Sequence, residues 1–364
     1  MKNSFALSEI LSIPPYLLRR DEKRAVLAAS LSELTRYHYA RCAPYKRILD
    51  AFSFNTQKIQ GCSDIPFLPV RLFKEFDLLS VDKSEIVKTM TSSGTTGQAV
   101  SRIFLDKETS ANQQKALVKI VSSFIGPKRL PMIILDSPSV VKDRKMFSAR
   151  GAGVLGFSIF GRDTVYAFGD DMRLDIPALS AFLEKHQNEP VLLFGFTYMV
   201  WQYFYKEIVK AGYKPDLSKG ILFHGGGWKK LLNEAVSPQE FKDKLGDACG
   251  LEKVHNYYGM VEQTGSIYVE CERGHLHSPI FSEIVIRRHI DFSPVDFGEN
   301  GIIETLSMLP RSYPGHALLT EDEGVILGED DCPCGRFGKY FKVTGRLQNA
   351  EIRGCSDTYA TEPR

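Results

Sequence analysis

The chain has 364 residues, of which 43% are hydrophobic and 25% charged, and its formal net charge is +2 at pH 7. This balance is typical of a globular protein with two or three structural units and argues against nucleic-acid binding by bulk charge. No apolar run is long enough to span a membrane, and the N-terminus lacks a signal-peptide pattern. The seven cysteines are an odd number spread along the chain. We therefore expect a cytoplasmic protein with reduced thiols.

In chain order, residues 1–60 are expected to form a helical cap in which His38 is a surface or packing residue. Beyond the cap, apolar runs bounded by glycine and proline predict buried strands, and longer amphipathic runs predict helices. The expected strands cover residues 131–136 and 191–196, and residues 220–227 are expected to be a strand followed by a glycine turn. The expected helices cover 108–124, 176–188 and 198–211. The glycine-rich residues 150–175 are expected to be mixed strand and loop. From about residue 265 onward, short strands are expected.

Alternation of strands and helices predicts an α/β fold with ligand groups at the carboxyl ends of the strands. The expected domains are a cap (1–60), an α/β core (61–265), a β-rich subdomain (266–345) and a short tail (346–364).

A run of small residues follows a predicted strand near residue 90. It combines hydroxyl side chains with glycines and presents many backbone N–H groups, which suits phosphate oxygens. From the residues alone, a Ser/Thr-rich linker is an equal alternative. The candidate phosphate-binding residues are Ser92, Ser93, Gly94, Thr95, Thr96 and Gly97.

Four further stretches of the chain offer nucleotide-binding chemistry. Three glycines after a buried strand let the backbone approach a flat ligand. A tight turn joins an aromatic ring, which can stack on a base, to a carboxylate that can hold Mg²⁺. Later turns offer a carboxylate and a guanidinium to ribose or phosphate. Taken singly, the glycine stretch is better explained as a plain turn, and each of the other stretches is a weak signal that a solvated surface turn also explains. The residues are Gly225, Gly226, Gly227, Tyr258, Gly259, Glu262, Asp322 and Arg346.

In this order, the stretches resemble the adenylate-forming superfamily. The loop from Ser92 to Gly97 is similar to its phosphate loop, and Asp322 and Arg346 are similar to its ribose-contacting pair. The turn ending at Glu262 is similar to its tyrosine–glycine–x–x–glutamate turn. Within the superfamily, residues 194–198, 224–229, 313–316 and 351–357 together resemble the acyl-protein synthetases of bacterial luminescence. The resemblance implies an adenylate-forming core of helices around mixed β-sheets, a smaller β-rich region and no full C-terminal domain.

The resemblance also implies a two-step reaction that uses ATP and Mg²⁺. A fatty acid would be activated as its acyl-adenylate, and the acyl group would pass to the thiol of Cys355 and then to an acyl reductase partner. Cys355 lies close to Arg353 near the chain end, where access is expected; an incidental surface thiol is the alternative. Because the usual C-terminal catalytic lysine is not expected, Lys229 is the candidate cation for adenylation. Where relatives carry a hinge carboxylate, this chain has amides at residues 348 and 349.

Two other functions fit the same fold. One is a ligase that transfers acyl or aryl groups to a diffusible thiol, such as CoA or a carrier protein, with Cys355 idle. The other is a non-catalytic nucleotide-binding partner protein, for which the missing catalytic-lysine domain is the best argument.

Two stretches combine cysteine with histidine, and the residues are Cys271, His275, His277, Cys332 and Cys334. Three thiolates and one imidazole would form a tetrahedral zinc site. With four protein ligands such a zinc would be structural, because no coordination position would be open. The alternative is a set of reduced thiols and imidazoles on a β-rich surface. The cysteine pair also resembles a C-P-C-G-R stretch of the phenylacetate–CoA ligase branch.

Overall fold

The structure, a computed structural model, describes residues 7–92, 100–141 and 149–347, without the side chains of residues 149, 229, 230 and 232. The helices of these ranges are α1 (Leu7–Ile10), α2 (Arg20–Arg41), α3 (Ala43–Ala51), α4 (Leu72–Glu75), α5 (Lys107–Ile125), α6 (Ala149–Ser158), α7 (Ile176–Lys185), α8 (Thr197–Met199), α9 (Lys206–Lys210) and α10 (Pro238–Cys249). A π-helical segment, Val200–Tyr205, joins α8 to α9 without a break.

The strands of the same ranges are β1 (Leu68–Pro69), β2 (Ile86–Thr91), β3 (Arg102–Asp106), β4 (Leu130–Ile134), β5 (Gly161–Tyr166), β6 (Val191–Phe196), β7 (Gly220–Gly225), β8 (Lys253–Tyr258), β9 (Tyr268–Glu270), β10 (Leu276–His277), β11 (Ser282–Arg287), β12 (Asn300–Ser307), β13 (Ala317–Glu329) and β14 (Lys339–Arg346). The predicted α/β fold class is confirmed.

The described residues form two compact units: the first holds residues 7–92, 100–123 and 259–347, and the second holds 124–141 and 149–258. The division into a cap, a core, a subdomain and a tail stays a prediction.

The second unit is built on a parallel sheet with strand order β5-β4-β6-β7-β8. Three of its strands, β4, β6 and β7, are buried at every position, as expected for strands covered on both faces. The chain order reverses between β4 and β6. In sheets of this topology, ligands bind beyond the carboxyl ends of the strands at this reversal point.

Helix boundaries in the second unit follow the capping residues. The Asp175 carboxylate accepts a hydrogen bond from the backbone N–H of Ala178 at 3.0 Å, and a proline occupies the first turn of α7. The Ser237 hydroxyl caps α10 in the same way, and Gly250 ends it with a left-handed φ of 73°. The predicted helix at residues 176–188 is therefore present and slightly shorter.

One prediction for the second unit is wrong. The glycine-rich residues 150–175 were expected to be mixed strand and loop, but they begin with helix α6 before strand β5. A Cβ atom at Gly153 would lie 3.0 Å from the Phe196 ring, so this glycine lets the helix lie close against β6. Close packing of the helix has outweighed the low helix propensity of glycine.

The first unit contains an antiparallel sheet with strand order β11-β12-β13-β14-β10-β9, and β1 pairs with β13 in parallel. Strands β2 and β3 form a separate antiparallel pair. Helix α2 is tied to the sheet by a buried lysine: the Lys23 ammonium donates to the Ser278 carbonyl at 3.0 Å and lies 3.6 Å from the Glu283 carboxylate. The expected N-terminal helices and the short C-terminal strands are thus both present.

His38 on α2 is a packing residue, as predicted. Its side chain is fully buried, its Nδ1 lies 2.7 Å from the Ser80 hydroxyl, and its ring stacks on His316 at 5.0 Å. Among the helices that the structure describes, none has the length and apolar character needed to cross a membrane.

Candidate functional site

The candidate phosphate loop begins where β2 ends. Strands β2 and β3 pair in antiparallel register, so that Ser92 and Ser101 face each other at the base of the connection between them. The Ser92 N–H donates to the Ser101 carbonyl at 3.1 Å, and the Ser101 N–H donates to the Ser92 hydroxyl at 2.9 Å. The strand predicted before the loop is confirmed as β2, and β3 begins after the loop. Residues 93–97, the rest of the candidate loop, lie outside the described residues.

The glycine turn after β7 lies at a carboxyl end of the parallel sheet, as the sequence predicts. The Thr197 hydroxyl, at the start of α8, donates to the Gly226 carbonyl at 2.8 Å and lies 2.9 Å from Nδ1 of His224. Burial lowers the pKa of His224 to about 3, so its ring is neutral. A neutral ring with its proton on Nδ1 donates to Thr197, and the threonine in turn fixes the glycine turn.

The three glycines of this turn have different surroundings. A Cβ atom at Gly225 would lie 2.6 Å from the ring of Tyr257, so this glycine makes room for an aromatic side chain. Gly226 has a left-handed φ of 76°, and Gly227 has no heavy atom within 4 Å of its Cβ position among the described residues. Of the three glycines, Gly227 is therefore the one whose backbone a ligand could approach closely. Lys229 follows in a short 3₁₀ segment, and its side chain is not described.

A buried ion pair lies beyond the carboxyl end of β4, beside the reversal point of the sheet. Nε of Arg150 is 2.9 Å from a carboxylate oxygen of Asp136, and both side chains are almost fully buried. Burial raises the pKa of Asp136 to about 6, and Arg150 opposes that shift. Sequence analysis placed Asp136 at the end of a strand but did not predict its partner.

The turn predicted to hold Mg²⁺ begins after β8, which ends at Tyr258. Glu262 lies in a short 3₁₀ turn, and its side chain is only 1% exposed. The buried Tyr313 hydroxyl donates to the Glu262 carbonyl at 2.9 Å and accepts from the Gln113 amide at 3.2 Å. Gln263, the next residue, donates to the Gly315 carbonyl at 2.8 Å. Both bonds to this turn come from residues 313–316, which therefore fix the backbone that carries the Glu262 carboxylate.

Residues 313–316 pack against the turn that carries Glu262 and hold its backbone in place. A Cβ atom at Gly315 would lie 3.0 Å from the Glu262 carbonyl, so the glycine lets the two backbones approach. Tyr313 and Gly315 are positioning residues, and sequence analysis assigned them no role. Both residues lie in a stretch that resembles a known family, and this resemblance was the available signal. It did not reveal the contact, because Tyr313 and Glu262 are 51 residues apart in the chain.

The predicted ribose-contacting pair lies on adjacent strands. Asp322 of β13 is directly opposite Arg346 of β14 in the register of the antiparallel pair. The Arg346 guanidinium also bonds to the Glu321 carboxylate at 3.0 Å, while its buried Nε has no hydrogen-bond partner among the described residues. The antiparallel hairpin of β13 and β14 therefore brings together two residues that are distant along the chain.

Three cysteines and a histidine converge at the turns of two hairpins in the first unit. The ligand atoms of Cys271, His277, Cys332 and Cys334 all lie within 4.8 Å of one another. His275 lies beside this group, with its ring stacked on Tyr340 at 4.8 Å. The structure therefore selects His277 of the two histidines as the one that completes a group of four. Cys355, the candidate nucleophile, lies outside the described residues.

The family described as "Acyl-protein synthetase, LuxE" matches residues 3–362. Long-chain-fatty-acid–luciferin-component ligase from Vibrio harveyi is 21% identical over 92% of this chain and 87% of its own length. The ligase of the same name from Aliivibrio fischeri is 23% identical over 92% and 88%. Phenylacetate-coenzyme A ligase from Thermus thermophilus is 32% identical over 95% of this chain and 75% of its own length.

Solved structures of adenylate-forming ligases share the fold. The open conformation of 2-hydroxyisobutyryl-CoA ligase, in complex with 2-HIB-AMP and CoA, has a TM-score of 0.71 at 14% identity. The matched region covers 92% of this chain and 72% of that ligase chain. The postadenylation state of the same ligase has a TM-score of 0.68. At such low identity, the similarity shows the fold alone.

Proposed function

Because the chain belongs to the acyl-protein synthetase (LuxE) family, we propose that it activates a fatty acid with ATP and transfers the acyl group to its own Cys355. That the chain is a ligase follows from its family and its named relatives. Activation of a carboxylic acid by ATP follows from the same family and the same relatives. The long-chain acid, the acceptor thiol and the onward delivery of the acyl group are the proposed parts.

In the first step, a carboxylate oxygen of the fatty acid attacks the α-phosphorus of ATP. The new P–O bond forms as the bond from the α-phosphorus to its bridging oxygen breaks, and pyrophosphate leaves. In the second step, the Cys355 thiolate attacks the acyl carbon. A C–S bond forms, the C–O bond to AMP breaks, and the thiol proton passes to solvent. Because both steps develop negative charge on oxygen, positioned donors and cations favour them.

The observation that carries this proposal is the register of β13 and β14. It places Asp322 opposite Arg346, so a carboxylate can accept from ribose hydroxyls beside a guanidinium that donates. The buried Nε of Arg346 has no hydrogen-bond partner among the described residues. In the second unit, the exposed backbone at Gly227 suits close approach of a flat adenine ring. We assign phosphate contacts to Ser92, Ser93, Gly94, Thr95, Thr96 and Gly97, and stacking on the base to Tyr258.

Glu262 fits a magnesium ligand. Its carboxylate is buried on a backbone held by Tyr313, and hard carboxylate oxygens are the donors that Mg²⁺ prefers. When bound, Mg²⁺ would neutralise charge on the phosphates. Glu262 would hold the ion, and Lys229 would supply further positive charge during adenylation.

Acyl transfer to a protein thiol implies a second protein that removes the acyl group, because a thioester stored on one cysteine allows a single turnover. An acyl reductase partner suits this role, since a thioester is more readily reduced than a carboxylate. The relatives named as luciferin-component ligases give this proposal its support.

The test is intact mass spectrometry of the full chain after incubation with ATP, Mg²⁺ and single fatty acids. We expect one acyl adduct that hydroxylamine removes and that peptide mapping places on Cys355. Cys355→Ser should form acyl-adenylate but no adduct. Cys62→Ser, the same substitution at a half-buried cysteine of the first unit, should keep the adduct. An adduct that persists in Cys355→Ser would refute transfer to this residue.

A second candidate acceptor is CoA or a carrier protein. The observation that favours it is the 32% identity to a phenylacetate-coenzyme A ligase. If CoA is the acceptor, release of AMP should depend on CoA and should be the same in Cys355→Ser and in the unsubstituted protein. If no CoA thioester forms with any of the acids tested, this alternative is eliminated. The non-catalytic hypothesis is set aside because the chain is a ligase.

A further inference from the structure

The Cys/His cluster consists of Cys271, His277, Cys332 and Cys334, and it lies where two hairpin turns of the first unit meet. Cys271 directly follows β9, and His277 is the last residue of β10. Cys332 and Cys334 lie in the connection from β13 to β14. Because β10 pairs with β14, with His277 opposite Tyr340, the sheet itself brings the two turns together.

The separations within the cluster are close to those of a tetrahedral zinc site, since all four ligand atoms lie within 4.8 Å of one another. Cys271 Sγ is 4.0 Å from Cys332 Sγ, and Cys334 Sγ is 3.3 Å from Nε2 of His277. Ligands at tetrahedral angles around zinc, at the usual Zn–S and Zn–N bond lengths, are about 3.5 to 3.8 Å apart. A disulfide would need the sulfurs at about 2.0 Å. The cysteines are thus spaced to share an ion and are not bonded to one another.

The backbone and the neighbouring side chains support thiolates at this position. The N–H of Arg273 donates to Cys271 Sγ at 3.4 Å, within a turn closed by the Cys271 N–H to the His275 carbonyl at 2.8 Å. Nδ1 of His275 lies 3.3 Å from Cys332 Sγ. Hydrogen bonds of this kind orient metal-bound sulfur and share its negative charge.

We propose that the Cys/His cluster binds one structural Zn²⁺ through three thiolates and Nε2 of His277, with His275 as a hydrogen-bonding neighbour and not a ligand. Four protein ligands complete a tetrahedral site, so the ion takes no part in catalysis. It joins two turns whose cysteines are 61 residues apart and thereby constrains the hairpins of the sheet.

The metal has a route to the site. Cys334 is the half-buried member of the cluster and lines a cavity of about 430 Å³ together with Tyr16 and Arg336. At this cavity, the Arg336 guanidinium bonds to both carboxylate oxygens of Glu272, at 2.7 and 3.1 Å. Arg336 places positive charge beside a site that carries a net negative charge when three thiolates hold one Zn²⁺.

The first measurement is the metal content of the full chain purified without chelators, by inductively coupled plasma mass spectrometry. We expect one zinc per chain. After zinc is removed by a chelator, Co²⁺ should bind with sulfur-to-cobalt charge-transfer bands and the intense visible bands of tetrahedral coordination. A zinc-free protein that also shows no such bands with Co²⁺ would refute the site.

Substitutions then test the ligand assignment. Cys332→Ser and His277→Asn should lose the zinc, whereas His275→Asn and the control Cys62→Ser should keep one zinc per chain. Loss of zinc in His275→Asn with retention in His277→Asn would overturn the assignment.

A measurement on the unsubstituted protein covers the case in which the ligand variants do not fold. Cys271, Cys332 and Cys334 should resist alkylation by N-ethylmaleimide until a chelator is added, while labelling of Cys62 should not change. Equal labelling of the three cysteines with and without the chelator would contradict metal binding. None of these readouts depends on ligase activity.

Discussion

At the scale of single residues, Tyr313 connects two parts of the first unit that sequence analysis treated separately. Its hydroxyl bonds to the backbone of Glu262 and to the side chain of Gln113, so one buried group fixes the turn that carries a carboxylate. Tyr313 acts through the position of Glu262, and such a role has a measurable signature.

We expect Tyr313→Phe to raise the Mg²⁺ concentration needed for half-maximal ATP–pyrophosphate exchange several-fold. The KM for the fatty acid should stay near its original value. Losing a buried hydrogen bond costs about 1 to 3 kcal/mol, and here the loss frees the backbone that positions Glu262. Exchange measured across a series of Mg²⁺ concentrations checks this.

Tyr268→Phe is the matched control for this prediction. Its hydroxyl is also buried in the first unit, and it donates to the Glu283 carbonyl at 3.3 Å, away from the Glu262 turn. A similar loss of stability is expected without a change in Mg²⁺ dependence. Equal shifts in both variants would mean that Tyr313 acts on stability alone.

At the scale of elements, the packing of α2 on the segment before β13 depends on two neutral histidines. His316 is fully buried, its Nε2 lies 2.9 Å from the Thr35 hydroxyl of α2, and its ring stacks on His38. Burial lowers the pKa of His316 to about 3, and burial together with His316 lowers the pKa of His38 well below 6.5. Both rings are therefore uncharged in the folded protein.

This packing predicts acid sensitivity. Below about pH 6.5 the unfolded chain takes up protons at these histidines and the folded chain does not, so acidification lowers the free energy of unfolding. Each ring contributes a slope of about 1.4 kcal/mol per pH unit between pH 6.5 and its folded pKa. Burial raises the pKa of Asp136 to about 6 and of Glu304 to about 7, and these groups act in the opposite direction.

Comparison with a variant isolates the histidine contribution. The melting temperature of His316→Gln should fall less between pH 7 and pH 5 than that of the unsubstituted protein, because the amide does not titrate. His289→Gln, at an exposed histidine that pairs with Glu323, should follow the unsubstituted protein. Parallel curves for all three proteins would show that His316 does not cause the acid sensitivity.

The elements also show how far sequence analysis reaches. Strands β4, β6 and β7 were predicted because each is a short apolar run bounded by turn residues, a pattern that local chemistry fixes. Helix α6 was missed because its glycines serve close packing against Phe196, which is a tertiary contact. Asp322 and Arg346 were predicted as a pair from motif resemblance. The support of Glu262 by Tyr313 was not, since a contact 51 residues apart leaves no local pattern.

At the scale of the whole molecule, the predicted nucleotide contacts are divided between the two units. Tyr258 and the glycine turn belong to the second, whereas Glu262, Asp322 and Arg346 belong to the first. Tyr258 and the glycine turn lie at strand ends of the parallel sheet, whereas Asp322 and Arg346 lie on adjacent antiparallel strands. The identity of the acid needs a separate test.

The acid is best identified by a chain-length series. If the substrate is a fatty acid, each added CH₂ removed from water should contribute about 0.8 kcal/mol, which corresponds to a nearly fourfold lower KM in ATP–pyrophosphate exchange. The fall should stop at the length that fills the pocket. Phenylacetate, taken from the name of the relative that is 32% identical, is the comparison acid. If phenylacetate gives the lowest KM and chain length has no effect, the substrate is an aryl acid. That result would refute the fatty-acid part of the proposal and leave activation by ATP in place.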